Sequence, residues 1–518
     1  MFWISGLAFV FQTGIDEEPL SAVFVVSVFC VGSLTASAES WRSMSSSTVA
    51  TPRSISSMSQ VTALINSLPK LPRKANLLWY LALGGLFLDA YSNAALGAGL
   101  SPMTKELTLS AAQVGVLTAT APAVAIVFNP AGGWLAARIG RVKPLIAAKA
   151  VAALGAVLTA TAGSFDAVWL GRGLVGVAYG VDFAVAMALL AEYTPAKMQG
   201  RLNLWQSVWY VATTVNLALT LAFYQLGVTL EIWRWSVGSA GVFAIALLIL
   251  QSVFLAESPS WLAAKGRLPE AVHSLRRIYG FQVTAGTTDQ GSPIREPKIG
   301  FRQAGVLFRQ PYLPRTFLST AISLTQSMQY FAVGWYLPVI SLAIFGEKFE
   351  RATFGSMIFN AAGIIGGALS AYFGRKIGLR VSSAIGYGFT FSILLVMGLG
   401  FGKLPITVGF LLPLLFIFFH SAGPGANGKS IAALSYRSDI RTLGTGVTGM
   451  LGSFGSVIGL YVFPQIKEAM GLGPTIALLA VVPLLGLVCC LLVRWDPTRS
   501  GIDPDDEPID LRFAGSAA

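Results

Sequence analysis

Charge is scarce in this chain. Asp, Glu, Lys and Arg make up 12% of its 518 residues, about half of what a soluble globular protein carries. With 54% hydrophobic residues and a mean hydropathy of +0.66, there is too little polar surface to cover a water-soluble globule. Histidine is nearly missing, at His273 and His420. The three cysteines, Cys30, Cys489 and Cys490, cannot form a disulfide framework, and so few soft ligands argue against a transition-metal site. Acids are fewer than bases, giving a net charge of +12. In a soluble chain that excess would point to nucleic acid; in one this apolar it points to basic loops beside a membrane.

What the chain has is long apolar runs. Crossing about 30 Å of hydrocarbon takes about 20 residues. Runs of that length lie near 77–100, 111–136, 144–163, 167–191, 202–226 and 235–255. After a polar stretch, six more lie near 313–342, 352–373, 381–401, 405–434, 442–466 and 473–493. The expected fold is an all-α membrane protein of twelve transmembrane helices, built as two six-helix pseudo-repeats. Its expected parts are a non-family segment 1–57, disordered or an over-extended start, a first half 58–255, a central loop 256–312 with short helices, a second half 313–495, and a disordered acidic tail 496–518.

Cation counting orients the spans. Placing both termini inside puts 25 Lys and Arg on the cytoplasmic side and six on the other, Lys105, Arg234, Lys348, Arg351, Lys403 and Lys467. Two basic knots then fall at equivalent places, between the second and third spans of each half. They are "GGWLAARIGRVKPL" at 132–145 and "AYFGRKIGLR" at 371–380, roughly 240 residues apart. Repeated halves with matched turns are the mark of a transporter that binds its substrate between the halves, near the midplane.

The first knot resembles the loop motif of the major facilitator superfamily, with Gly133, Arg138, Gly140, Arg141 and Lys143 on its positions. The family's aspartate is replaced by Ala137. In the second copy Lys376, Gly378 and Arg380 match, and Arg375 takes the acid's place. The resemblance implies a gating role for these turns, and the missing acid implies a latch built differently. "RGLVGVAYGVDFAVAMALLAEYTP", "ESPSWLAAKGRLPEA" and "ALSYRSDIRTLGTG" resemble runs of the sugar porters and of the aromatic- and organic-acid:proton symporters, the resemblance covering about residues 77–495.

One motif points elsewhere. "GPGANGKS", residues 423–430, matches the phosphate-binding loop of nucleotide hydrolases, which needs a strand, a helix and an aqueous domain around it. Here it lies within an apolar span, so a transport ATPase is the losing alternative. A membrane sensor is another, but the soluble stretches are short for signalling.

Buried charge is costly in a membrane and tends to be kept for work. Asp89 sits mid-span with Asn93 one turn on, and Arg172 begins the fourth span. In the family an acid and an arginine at these places are neighbours in proton coupling, so the resemblance implies a titrating Asp89–Arg172 pair; a static ion pair is the plain alternative. Asp182 is a second candidate acid, or a helix contact. Lys149, five residues into its span, is read as snorkelling to the surface. His420, set among phenylalanines, is not expected to carry the proton.

Substrate contacts are expected from Asn93, from Gln206, Trp209, Tyr210, Thr213 and Asn216 on span five, from Gln326, Gln329, Tyr330 and Tyr336 on span seven, and from Asn427 and Lys429 on span ten. Polar stripes of this kind also simply stitch helices together. Two cations, Arg172 and Lys429, suit a carboxylate. The expected activity is proton-coupled uptake of an organic acid, aromatic ones included, by alternating access. Sugar/proton symport and export remain the alternatives. No cofactor is called for. The expected partners are substrate, protons and the lipid bilayer, with no nucleic acid, for a monomer in a bacterial inner membrane and not an enzyme.

Overall fold

The computed structural model describes residues 53–286, 301–334 and 349–506. Ten helices among them are long and apolar enough to cross a membrane. They are spans two to six (Ala111–Ile139, Val142–Ala160, Phe165–Tyr193, Leu204–Gln225, Ile232–Phe254), spans eight and nine (Phe349–Lys376, Leu379–Leu399), span ten (Ile406–Ala422 with Pro424–Ser435), span eleven (Arg441–Met470) and span twelve (Leu472–Leu479 with Val481–Leu492). Span one, Arg73–Glu106, is the longest helix and carries charge at both ends and at Asp89. Span seven, Leu313–Gln329, loosens into one wide turn at Tyr330–Gly334. Such turns free backbone groups and often sit at working sites.

Local chemistry explains the starts and breaks. Ser110 and Gln113 form a reciprocal capping box at the head of span two, and the Ser164 hydroxyl accepts from Ala167 N–H at the head of span four. Span ten breaks where Gly423 leaves helical geometry and Pro424 starts a new helix. The phosphate-loop look-alike lies in that second helix, wholly buried, with no loop to wrap a phosphate.

The halves meet along spans two and eleven and along spans five and eight. Gly133 packs against the carbonyl of Thr442, and Gly363 against the ring of Tyr210. Side chains would hold these helices apart.

Two terminal expectations are corrected. Residues 1–52 of the expected non-family segment lie outside the described residues, but Arg53–Ile55 pairs in parallel with Val283–Ala285 of the central loop, and helix Met58–Asn66 follows. Residues 496–506 of the expected disordered tail are held in place. Asp505 accepts from the Ser438 backbone N–H at 2.7 Å and hydroxyl at 2.9 Å and from Thr62, and Asp503 accepts from Asn66 at 3.0 Å. Asp503 and Asp505 find donors there, which composition alone does not reveal. Residues 507–518 lie outside the described ones.

Candidate functional site

The two knots anchor the end of the bundle where the basic loops gather. Gly140 and Gly378 both have positive φ, 100° and 93°. Glu257, which follows span six, accepts from the backbone N–H of Arg141 at 3.0 Å and Val142 at 3.2 Å. Asp496, which follows span twelve, accepts from Arg380 N–H at 2.8 Å. Each half therefore seats a carboxylate at the head of its third helix, where the helix dipole favours one. Burial pushes the Glu257 carboxyl above its ordinary range even though three N–H groups donate to it.

The missing aspartate is replaced by another acid. Arg141 is fully buried and donates to both oxygens of Glu192, at 2.8 and 3.2 Å, and to the Ser438 carbonyl of the other half at 2.6 Å. Arg441 reaches the same Glu192 at 3.6 Å and Asp505 at 3.7 Å. Ala137 is buried beneath Trp261, whose indole N–H donates to its carbonyl at 3.1 Å. Arg138 and Lys376 stay at the surface, over the rings of Trp134 and Tyr372. Thr445 on span eleven donates to the Ala184 carbonyl on span four, and Ser207 on span five to the Ile364 carbonyl on span eight, both at 2.8 Å. The seam is closed at this basic end.

Further in, two small cavities lie in the seam. One, about 50 Å³, is lined by Asn93, Trp209, Thr213, Tyr330, Ser356 and Asn360 among others. The second, about 20 Å³, is lined by Tyr179, Trp205, Gln206, Gln326, His420 and Lys429 among others. Trp209 donates to the Tyr330 hydroxyl at 3.1 Å, and both residues border both cavities, so this bond across the halves partitions the space. Either volume holds water but not a metabolite. The conformation is closed around its centre.

Of the expected substrate contacts, Asn93, Gln206, Trp209, Thr213, Gln326, Tyr330 and Lys429 line these cavities. Four others face elsewhere. Asn216 is buried and donates to the Ser236 hydroxyl at 3.1 Å. Asn427 is spent on Asn203, Ser382, Ser383 and the Leu379 carbonyl, tying span ten to spans five and nine. Tyr210 is buried against Gly363 and Tyr330. Gln329 bonds His420 Nδ1 at 3.1 Å, so the ring and not the amide reaches the cavity. Tyr336 lies outside the described residues. His420, Trp205, Tyr179, Ser356 and Asn360 were not picked out from sequence as cavity residues. The only signal for Asn360 and Ser356 was their spacing of four on an otherwise apolar span.

Among the described residues, five Asp, Lys and Arg side chains sit in the middle of the bundle. Arg172, 2% exposed, donates to the Ser92 carbonyl and to the Asn93 side chain, both at 3.4 Å, rather than to the Asp89 carboxylate. The expected pair is thus not in contact, because Arg172 lies one turn further along span one. Asp89 Oδ2 has no hydrogen-bond partner, and the charges acting on that carboxylate are Asp182, Lys149 and Lys429. Lys149 does not snorkel. It is 1% exposed and ion-paired with Asp182. Lys429 projects its ammonium onto the Phe183 ring, 3.3 Å from the centroid, with Trp205 at 5.0 Å.

A family model described as "Sugar (and other) transporter" matches residues 21–494, beginning well before residue 77, where sequence reading placed the start of the resemblance. The chain is 26% identical over 424 residues to "Inner membrane metabolite transport protein YgcS" of Escherichia coli (strain K12), covering 82% of this chain and 91% of that one. It is 27% identical over 457 residues to "Probable metabolite transport protein CsbC" of Bacillus subtilis (strain 168), covering 85% and 95%. Among solved structures, the proton:xylose symporter XylE bound to 6-bromo-6-deoxy-D-glucose matches with a TM-score of 0.70 at 17% identity, covering 81% of this chain and 95% of that one.

Proposed function

We propose that this chain, which belongs to the sugar (and other) transporter family, is a multi-pass transporter that couples uptake of a small organic anion to protons. The excess of Lys and Arg puts the basic face in the cytoplasm, so the closed end of the seam is the inner gate.

The observation that carries the reading is a charge imbalance. Lys149, Arg172 and Lys429 face only two mid-bundle acids among the described residues, Asp89 and Asp182. Lys149 has Asp182, and Arg172 has span-one oxygens. Lys429 rests on ring faces at the edge of a cavity that also holds amide and indole donors. A buried cation without a carboxylate is costly, and a substrate carboxylate would offset that cost on arrival. Tyr179, Trp205 and Tyr330 around it would stack on an aromatic acid.

Sugar symport is the second reading. Gln206, Gln326, Asn93 and Asn360 in the cavity walls suit hydroxyl groups. Lys429→Gln separates the two. It should weaken binding of an anion about ten- to a hundredfold, the loss of one charge-assisted bond, and leave a neutral analogue nearly unaffected. Equal weakening of both ligands in a binding titration would overturn the anion reading.

A further inference from the structure

Span one presents Gly85, Asp89 and Asn93 on one face, one turn apart. Each faces different chemistry. At Gly85 the Lys149–Asp182 pair comes so close that a Cβ there would sit 2.9 Å from Lys149 Nζ and closer still to Asp182 Oδ2. At Asn93 stands Arg172. Asp89 lies between, one oxygen without a hydrogen bond, with the pair on one side and Arg172 on the other.

We propose that Lys149, held by Asp182 against Gly85, is a positioning residue for proton coupling: it is the cation toward which the Asp89 carboxylate moves from its place between Lys149 and Arg172. This rests on the proton-coupled reading above and adds a residue on span three to it. The remaining titratable or charged groups around Asp89 are Tyr179 and Asp182 from span four and Lys429 from span ten. None of them takes Lys149's place. Asp182 repels the carboxylate, Tyr179 is a phenol, and Lys429 belongs to the other half, so its distance changes as the halves rock.

The geometry supplies a mechanism. Spans one, three and four belong to the same half, so a short tilt of span one carries Asp89 toward Lys149 without opening the seam. A carboxylate gives up its proton close beside a cation and takes one where burial and a like charge outweigh the more distant cations. Gly85 lets span one lie near enough for the exchange. Asp182 keeps the ammonium from swinging out toward the basic loops, as it would otherwise do on a side chain this long.

The test compares proton-driven accumulation with substrate exchange in proteoliposomes holding the full chain. Lys149→Gln should lower the ratio of accumulation to exchange roughly tenfold or more, on the scale of one lost charged contact, and Lys149→Arg should restore most of it. Lys149→Gln combined with Asp182→Asn removes the pair without leaving a lone buried charge. If the pair only braces the helices, the double variant recovers the wild-type ratio, and the proposal is overturned. If Lys149 acts on Asp89, it stays uncoupled. Should Lys149→Gln fail to reach the membrane, Gly85→Ala keeps both charges and pushes span one away from them. A lowered ratio there supports the proposal, and a wild-type ratio overturns it. Wild-type vesicles with no substrate-dependent proton uptake would instead sink the proton-coupled reading itself.

Discussion

Glu192→Gln tests how the basic end stays shut. The carboxylate is fully enclosed and receives two hydrogen bonds from Arg141 and an ion contact from Arg441. Two costs follow from removing its charge, and they fall in different places. Arg141 and Glu192 both belong to the first half, so their separation costs overall stability, by about 3–5 kcal/mol for a broken buried pair. Arg441 belongs to the second half, and only its contact with Glu192 depends on the seam being closed. At 3.6 Å that contact is longer than a hydrogen bond, so it merits the low end of the charged-bond range, about 1.5 kcal/mol. The closed conformation should therefore lose about tenfold in population against the inward-open one. Thr442→Cys, in a background with the native cysteines changed to serine, reports it, because Thr442 is buried in the seam against Gly133. Maleimide labelling from the basic side should speed up about tenfold in Glu192→Gln, and similarly in Arg441→Gln. An unchanged rate in both variants would refute the reasoning and reduce Glu192 to a brace within its own half.

Other perturbations read different contacts. Gly133→Leu drives a side chain into the Thr442 carbonyl and should stop the basic end from closing, so transport falls sharply while membrane expression holds. Asp505→Ala removes both bonds to Ser438 and should cost about 1–3 kcal/mol of tail attachment, read as faster trypsin cleavage at Arg499.

How much of this was legible in the sequence depends on distance along the chain. Hydropathy located the spans because each needs only its own residues to be apolar; 405–434 was read as one span, and its break at Gly423–Pro424 came only with the structure. Span one was legible only as a run interrupted by Asp89 and Asn93, and its polar face falls short of the apolar criterion that ten other helices meet. Partners were not legible. Lys149 looked free to reach the surface because its acid is 33 residues away on another helix. Asn427 looked like a cavity residue because a polar side chain beside Lys429 does, whereas two residues, about half a helix turn, send it the other way into the Ser382–Ser383 contact. The latch acid stood at Glu192, outside the motif whose aspartate is missing. That substitution could be read as a loss but not as a relocation, since the replacement meets Arg141 only after folding.

The surplus cation in the middle of the bundle bears on how the membrane voltage would enter the proposed cycle. With all five groups ionised, the empty site carries one net positive charge. A proton on Asp89 adds one and a bound monoanion removes one, so with one proton per anion the loaded and empty carriers cross with the same charge. Moving that charge through 100 mV is worth about 2.3 kcal/mol, but what the field contributes on one leg it takes back on the other. Net uptake would then answer to the pH difference alone. A neutral solute with the same proton would leave an uncancelled charge each cycle, and an inside-negative potassium diffusion potential would speed its accumulation. What the resident charge contributes cancels over the cycle, so the net charge of solute plus proton sets which half of the proton-motive force can drive uptake.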